Sequence, residues 1–141
     1  MPNQTFHNLP NDKQNRIIEA AINEFSQRDY ESAMISKIIK DAHIPRGSFY
    51  QYFEGKKDLY KFLFTIIAKD KLSFMADEMM NKDNLPFIEL VAILYKQGIA
   101  FATAHPKYLK ITRFLFAKRD ALFDEIMDLI YNLVFHIIKT I

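Results

Sequence analysis

The chain has no cysteine and no tryptophan, and only three of its 141 residues are glycine. Without cysteine it can form neither a disulfide framework nor a thiolate metal site. Its five prolines leave long stretches without helix breakers, and apolar residues recur there at helical spacing. No uninterrupted apolar run approaches the roughly 18–20 residues of a membrane-spanning helix. We therefore expect an all-α protein in the cytoplasm, with no cofactor and no membrane partner.

Charge gives little guidance to function. The net charge is +2, and residues 1–60 carry eight basic and eight acidic side chains. A strongly basic domain would be typical of a nucleic-acid-binding protein. Any positively charged surface must instead arise from the positions of the charged residues in the fold. We expect Arg46, Lys56 and Lys57 on one side and acids such as Glu19, Glu24 and Glu31 elsewhere.

Hydrophobic periodicity predicts seven helices. The first, over about residues 12–27, has an apolar stripe that includes Ile17, Ala21 and Phe25. Half of all residues are hydrophobic, which is enough for a packed core. The remaining helices are predicted at about residues 33–42, 46–53, 55–80, 86–104 and 106–117 and from about residue 121 onward, with a linker over 81–86.

Residues 33–60 are the most informative stretch. They read as two short helices joined by a turn at His43-Ile44-Pro45, because proline ends one helix and can open the next. Phe49 and Phe53, spaced i and i+4, are expected to hold the second helix against the first. A short helix held in this way can enter the major groove of DNA. The residues predicted to face outward are Arg46, Gly47, Ser48, Tyr50, Gln51 and Tyr52, with Lys56 and Lys57 following.

Residues 16–60 resemble the N-terminal domain of TetR/AcrR-type transcriptional regulators. The resemblance is carried above all by GSFYQYFEGKKDLY over residues 47–60, which is similar to the family signature Gly-x-Leu-Tyr-x-His-Phe-x-x-Lys-x-x-Leu. Three positions depart from the family pattern. Asp29 stands at a usual glycine, Ala33 at a usual capping threonine, and His43 at a turn position where glycine is common.

The resemblance implies a homodimer that binds two half-sites of a palindromic DNA operator. It also implies a C-terminal helical domain with a pocket for a small-molecule effector. Binding of the effector would change the spacing of the two DNA-binding domains in the dimer. Residue by residue, it implies contacts to base edges or nearby phosphates from Arg46, Gly47, Ser48, Tyr50 and Gln51, and contacts to phosphate from Tyr52, Lys56 and Ser36.

Three segments are expected on this basis. Residues 1–11 would be a flexible N-terminus, residues 12–54 the helix-turn-helix DNA-binding domain, and residues 55–141 the effector-binding and dimerisation domain. Family members dimerise through two final helices, so we expect the last domain to be incomplete at its C-terminus. The effector pocket is expected near Phe62, Ile66, Phe101, Phe114 and Tyr131.

The sequence thus predicts a DNA-binding transcriptional regulator, and specifically a repressor released by a small apolar or amphipathic ligand. The alternative is a helical ligand-binding or protein-interaction module that has lost DNA binding, which the neutral charge and Ala33 favour. No glycine-rich phosphate loop or nucleophilic triad is present, so no enzyme is predicted. No metal site is predicted either, because short ligand spacing is lacking among His7, His43, His105 and His136.

Overall fold

The computed structural model describes residues 1–79 and 85–140, and within these ranges all regular structure is helical. This confirms the all-α prediction. The predicted end of the fourth helix near Met80 and most of the predicted linker over 81–86 lie outside the described residues. The helices are α1 (Gln4–His7), α2 (Asn11–Gln27), α3 (Ile35–Asp41), α4 (Arg46–Tyr52), α5 (Lys56–Met79), α6 (Phe87–Ala104), α7 (Pro106–Lys118) and α8 (Ala121–Thr140).

Helices α2, α3 and α4 form the helix-turn-helix unit. The predicted stripe of α2 is buried, with Ile17, Ala21 and Phe25 almost free of solvent contact. It packs on α3, which contributes Ile38 and Ile39 to the same core. The unit is therefore held by apolar side chains that recur at helical spacing.

The N-terminus is ordered, which corrects the expectation of a flexible segment over residues 1–11. Residues 4–7 form α1, and the Phe6 side chain is buried. Its ring lies 5.1 Å from that of Phe53 and 5.5 Å from that of Phe62, measured between centroids. Burial of this aromatic side chain offsets part of the conformational entropy that the segment loses on ordering.

Glu24 on α2 is a buried acid. Its Oε1 atom accepts a hydrogen bond from the main-chain N–H of Met34 at 3.0 Å and lies 3.5 Å from Nε of Arg28. Met34 is the N-cap residue of α3 and provides no side-chain cap of its own. A carboxylate from α2 thus fixes the entry to α3, where the usual threonine is missing.

Helix α5 connects the helix-turn-helix unit to the C-terminal helices. Its first turns carry Leu59, Tyr60 and Leu63 into the core, and its later turns pack against α6 and α8. The domain boundary predicted at residues 54–55 therefore falls at the start of a helix that both parts share. Helix α7 packs directly on α2, so the C-terminal helices also contact the helix-turn-helix unit independently of α5.

Two sets of ion pairs tie the C-terminal helices to the N-terminal part. Glu125 on α8 lies 2.6 Å from Nζ of Lys57 and 3.0 Å from Nζ of Lys61. These two ammonium groups lower the pKa of the Glu125 carboxyl. Lys118 at the end of α7 lies 3.8 Å from Asp29 and 3.5 Å from Glu31.

Helix α6 exposes an unusually apolar surface. It is long and apolar enough to cross a membrane by length and composition alone, and only 6% of it is buried. Ile88, Val91, Tyr95 and Ile99 share one face of it and all are exposed. The charged side chains of Glu89 and Lys96 interrupt the apolar sequence, which is why no long apolar run is visible in it.

Met34→Ser is expected to stabilise the fold by about 1 kcal/mol. The Met34 side chain is 44% exposed and its backbone is extended, as an N-cap requires. A serine hydroxyl at this position accepts a hydrogen bond from an N–H group in the first turn of α3. Urea denaturation measures the change, with Met34→Ala as the control. Equal stability of the serine and alanine variants would contradict the prediction.

Candidate DNA-binding surface

Helix α4 is short and is positioned by its apolar residues. The turn before it places His43 in the left-handed region, at φ 54°, which a glycine would adopt more easily. Pro45 then stands at the N-cap. The side chains of Phe49 and Phe53 are fully buried, with ring centroids 5.5 Å apart, which confirms that this pair anchors the helix.

The outer face of α4 contains five of the six residues expected there from the sequence, and Tyr52 is the exception. Tyr50 is the most prominent of its side chains, at 58% exposed. Arg46, Gly47 and Gln51 are also exposed, while Ser48 is half-buried. Ser36 is exposed on α3, the supporting helix. The structure therefore leaves six of the eight predicted DNA-contacting residues accessible to a partner, namely Ser36, Arg46, Gly47, Ser48, Tyr50 and Gln51.

Tyr52 does not face outward, and its predicted exposure is wrong. Only 4% of its surface is accessible. Its ring packs 6.3 Å from that of Phe6, and Nζ of Lys13 lies 5.8 Å from its centroid. Residues 49, 52 and 53 are spaced i, i+3 and i+4, so Tyr52 shares the buried face of α4 with the two phenylalanines.

Lys56 is exposed only in part, because its ammonium group is engaged inside the protein. Nζ donates hydrogen bonds to the main-chain oxygens of Glu31 and Ala33, each at 3.1 Å. It also lies 4.8 Å from the centre of the Tyr30 ring. Lys56 thus ties the start of α5 to the turn that precedes α3, and a phosphate would have to share it with these carbonyl groups.

The packing and backbone of the described residues do not require a glycine at position 47. Its φ is not positive, and a Cβ atom added there would meet nothing within 4 Å. Neither backbone strain nor packing therefore requires a glycine at this position. Glycine at this exposed position leaves room for close approach by a partner, at the cost of some helix stability relative to alanine.

The charge balance of this surface differs from that of the sequence as a whole. Most acids of the N-terminal part form ion pairs. Glu24 pairs with Arg28, and Asp41 pairs with Lys37. Asp29 and Glu31 pair with Lys118, and Asp58 pairs with the N-terminal ammonium group. Hydrogen bonds from Ser32 also lower the pKa of Asp29. No ion pair among the described residues involves Lys40 or Arg46, so these two cations remain available on the α3–α4 surface.

Asn3 contacts the end of α4, which the sequence reading did not anticipate. Its main-chain N–H donates to the Tyr52 oxygen at 2.8 Å, and its side-chain amide donates to the Gln51 oxygen at 3.2 Å. An isolated phenylalanine in a polar N-terminus was the one available signal, since Phe6 holds this segment in place.

A cavity of about 290 Å³ lies among the C-terminal helices. Phe101 lines it, as expected from the sequence. The structure places the other four predicted pocket residues away from this cavity. Phe62 packs on Phe6, and Ile66 is half-buried but does not line the cavity. Phe114 on α7 lies near the turn at residues 29–31, and Tyr131 is largely exposed. The apolar walls are formed by Phe64, Ile67, Leu115, Phe116, Met127 and Ile130, among others.

Three polar side chains interrupt the apolar lining of this cavity. They are Lys71, Thr112 and Tyr108. The Tyr108 hydroxyl donates to Asp70 at 2.8 Å, and burial together with this carboxylate raises the pKa of the phenol. A mostly apolar cavity with a few polar groups is typical of a site for a small amphipathic molecule. Over residues 1–79 and 85–140, no cluster of three or more potential ligands could hold a metal ion.

Residues 17–62 match the family described as "Bacterial regulatory proteins, tetR family". The HTH-type transcriptional regulator YhgD of Bacillus subtilis (strain 168) is 31% identical over 100 residues, which cover 71% of this chain and 51% of that protein. The fatty acid metabolism regulator protein of the same strain is 33% identical over 64 residues, or 45% of this chain and 31% of that protein.

A solved TetR family transcriptional regulator from Chloroflexus aurantiacus J-10-FL superposes with a TM-score of 0.77 at 33% identity. The match covers 92% of this chain and 59% of that one. The chain thus spans about half the length of YhgD and somewhat more of the Chloroflexus protein. Residues 17–62 therefore form a domain of the TetR family of bacterial regulatory proteins, and the described helices that follow superpose on a solved member of that family.

Proposed function

We propose that the protein is a DNA-binding transcriptional regulator, a repressor that a small apolar or amphipathic ligand releases from its operator. The observation that carries the proposal is the division of α4 into two faces. Phe49 and Phe53 are fully buried, whereas Tyr50 and its neighbours are exposed. A helix fixed by one face and free on the other is suited to the major groove.

The exposed residues supply the chemistry for reading bases. Arginine forms paired hydrogen bonds with guanine, and glutamine forms them with adenine. Arg46 and Gln51 are of these types, and Tyr50 adds a hydroxyl group on a rigid ring. Ser36 and Ser48 have hydroxyl groups suited to phosphate oxygens. We assign base contacts to Arg46, Tyr50 and Gln51 and phosphate contacts to the two serines.

Gly47→Ala is expected to change stability and DNA affinity in opposite directions. Alanine favours a helix over glycine by up to about 1 kcal/mol, and the added methyl group meets nothing inside the protein. The same methyl group would obstruct close approach of α4 to DNA. We expect equal or higher stability with operator affinity at least roughly tenfold lower, a loss of about 1.4 kcal/mol. Urea denaturation and fluorescence anisotropy, on a duplex that the wild-type protein selects from a randomised library, measure the two effects.

Tyr50→Ala and Tyr52→Ala form a matched pair for this experiment. Loss of the exposed Tyr50 should cost on the order of 1–3 kcal/mol of sequence-specific binding with little change in stability. Loss of the buried Tyr52 should lower stability instead, by about 3 kcal/mol or more. If Gly47→Ala and Tyr50→Ala both bind the selected duplex like the wild-type protein, α4 is not the reading helix.

One observation favours the alternative of a helical module that has lost DNA binding. The buried Tyr52 and the engaged Lys56 remove two of the phosphate contacts that the family resemblance implies. The alternative predicts that no duplex is enriched from the library by the wild-type protein. If the protein is a DNA-binding regulator, a duplex is selected and its binding weakens as salt rises, because the remaining cations contact phosphate.

The cavity among α5–α8 is the proposed ligand site. Its apolar walls favour a hydrocarbon, and Lys71 at its lining favours a negatively charged end group. The name of one relative, the fatty acid metabolism regulator protein, supports straight-chain fatty acids as probes. A ligand regulates DNA binding only if it has a higher affinity for the conformation that fits DNA poorly.

Ala102→Leu is expected to weaken fatty acid binding at least about tenfold, because the larger side chain fills part of the cavity that Ala102 lines. Ala100→Leu is the matched control, since Ala100 is exposed on α6 and does not line the cavity. Isothermal titration calorimetry over a series of chain lengths measures the affinity. Equal affinities of the two variants, or no binding by the wild-type protein, would remove this cavity or this ligand class from the proposal.

We further propose that two copies of the chain associate through the exposed apolar face of α8. Tyr131, Phe135 and Ile138 recur at i, i+4 and i+7 and are all exposed. Stripes of this kind on soluble proteins commonly mark protein–protein interfaces. A dimer would present two α4 helices to two half-sites, as helix-turn-helix proteins do.

The double variant Tyr131→Lys/Ile138→Lys is expected to be monomeric where the wild-type protein is a dimer. Two lysines would place like charges in the proposed interface, which costs several kcal/mol. Asn132→Lys adds a charge beside the stripe and serves as the control. Sedimentation velocity distinguishes the species, and a wild-type protein that stays monomeric at micromolar concentration would contradict this interface.

A further inference from the structure

The C-terminal end of α4 is held by a residue far away in the sequence. Helix termini leave main-chain oxygens without partners inside the helix. In α4, two of these oxygens are those of Gln51 and Tyr52, and both accept hydrogen bonds from Asn3, at 3.2 Å and 2.8 Å. A helix of seven residues has little stability of its own, so contacts at its end weigh heavily on its orientation.

The segment that contains Asn3 is itself firmly attached. Phe6, three residues further on, is buried with its ring 6.3 Å from that of Tyr52 and 5.1 Å from that of Phe53. Pro2, on the other side of Asn3, is also buried. The main-chain N–H of Phe6 donates to the oxygen of Asn3 at 2.9 Å, so the donor atoms of Asn3 are held between two buried neighbours.

We infer that residues 1–7 act as a positioning clamp that fixes the angle at which α4 presents Tyr50 and Gln51, with Asn3 as its contact residue and Phe6 as its anchor. The inference rests on the proposed function, because the angle of α4 matters only if α4 reads DNA. Bonds to the last two carbonyl groups restrict the turn that contains Gln51 itself. Loosening the clamp therefore lowers operator affinity without removing any group that touches DNA.

A direct DNA contact by the same segment does not fit its composition. Arms that reach into a groove or along the backbone use lysine and arginine. Residues 2–12 contain neither, and the first basic residue, Lys13, lies over the ring of Tyr52. The segment thus has the means to hold the helix and lacks the charge to neutralise phosphate.

Asn3→Pro is the variant that tests the clamp. Asn3 has φ −70°, which is the angle that proline prefers, so the substitution removes both donors without straining this residue. We expect operator affinity to fall roughly three- to tenfold, since a net hydrogen bond contributes about 0.5–1.5 kcal/mol. Amide hydrogen exchange in α4 should be faster in the free protein, and the salt dependence of binding should keep its slope.

Asn3→Ala and Gln4→Ala are the matched controls. Asn3→Ala keeps the main-chain donor and loses only the exposed side-chain bond, so affinity should fall about twofold or less, with a smaller rise in exchange. Among the residues that the structure describes, the Gln4 side chain bonds only to Asn8 across one turn, and its replacement should change neither quantity. If the Asn3→Pro variant does not fold, the test is the rate of amide hydrogen exchange in α4 of the Asn3→Ala variant, which should be higher than in the wild-type protein.

The outcomes separate the clamp from the proposed function. Unchanged exchange in α4 together with unchanged affinity would overturn the clamp. A flatter salt slope in Asn3→Pro would assign the segment to phosphate contact and overturn it as well. A wild-type protein that selects no duplex would overturn the proposed function, while hydrogen exchange, which needs no DNA, would still decide whether Asn3 holds α4.

Discussion

The burial of three aromatic side chains on one face of α4 is the constraint on which the rest of the structure depends. A seven-residue helix does not persist alone in water, because nucleation costs more than so few hydrogen bonds return. Phe49, Tyr52 and Phe53 fix it within the hydrophobic core, where the rings of Tyr52 and Phe53 pack against that of Phe6 on α1. The same spacing that buries these rings leaves Tyr50 and Gln51 exposed, so packing and surface chemistry are set together.

The structure also changes how the neutral charge of the N-terminal part is read. Its acids are drawn into internal roles: Glu24 caps the entry to α3, Asp58 accepts from the main chain of Glu54, and Asp29 and Glu31 meet Lys118. Few cations are left for phosphate, since Lys56 serves carbonyl groups. The DNA binding that we propose for this surface would therefore rest more on base contacts and shape than on counterion release.

Sequence patterns predicted the features that depend on the spacing of nearby residues. They missed the contacts between segments that are far apart in the sequence. The helices and the Phe49–Phe53 pair follow from periodicity. The error at Tyr52 came from treating residues 50–52 as one outer face, although position 52 lies at i+3 from Phe49. Glu24 offered a signal, because it falls at i+3 and i+7 on the stripe of Ala21 and Ile17. The contact of Asn3 with α4, by contrast, joins residues about fifty positions apart, and no local pattern encodes it.

A route from the cavity to α4 is visible in the packing of α5. Phe64 lines the cavity, and its ring lies 5.1 Å from that of Tyr60, which in turn packs 4.8 Å from Phe25 and 5.0 Å from Tyr30. Packed interiors resist compression, so a ligand that displaces Phe64 must move Tyr60 or tilt α2 against α5. Because α3 packs on α2 and α4 packs on α3, such a tilt would also move the helix for which we propose base contacts. In a dimer the two turns would add, which is how a cavity of modest size can control the fit to two half-sites.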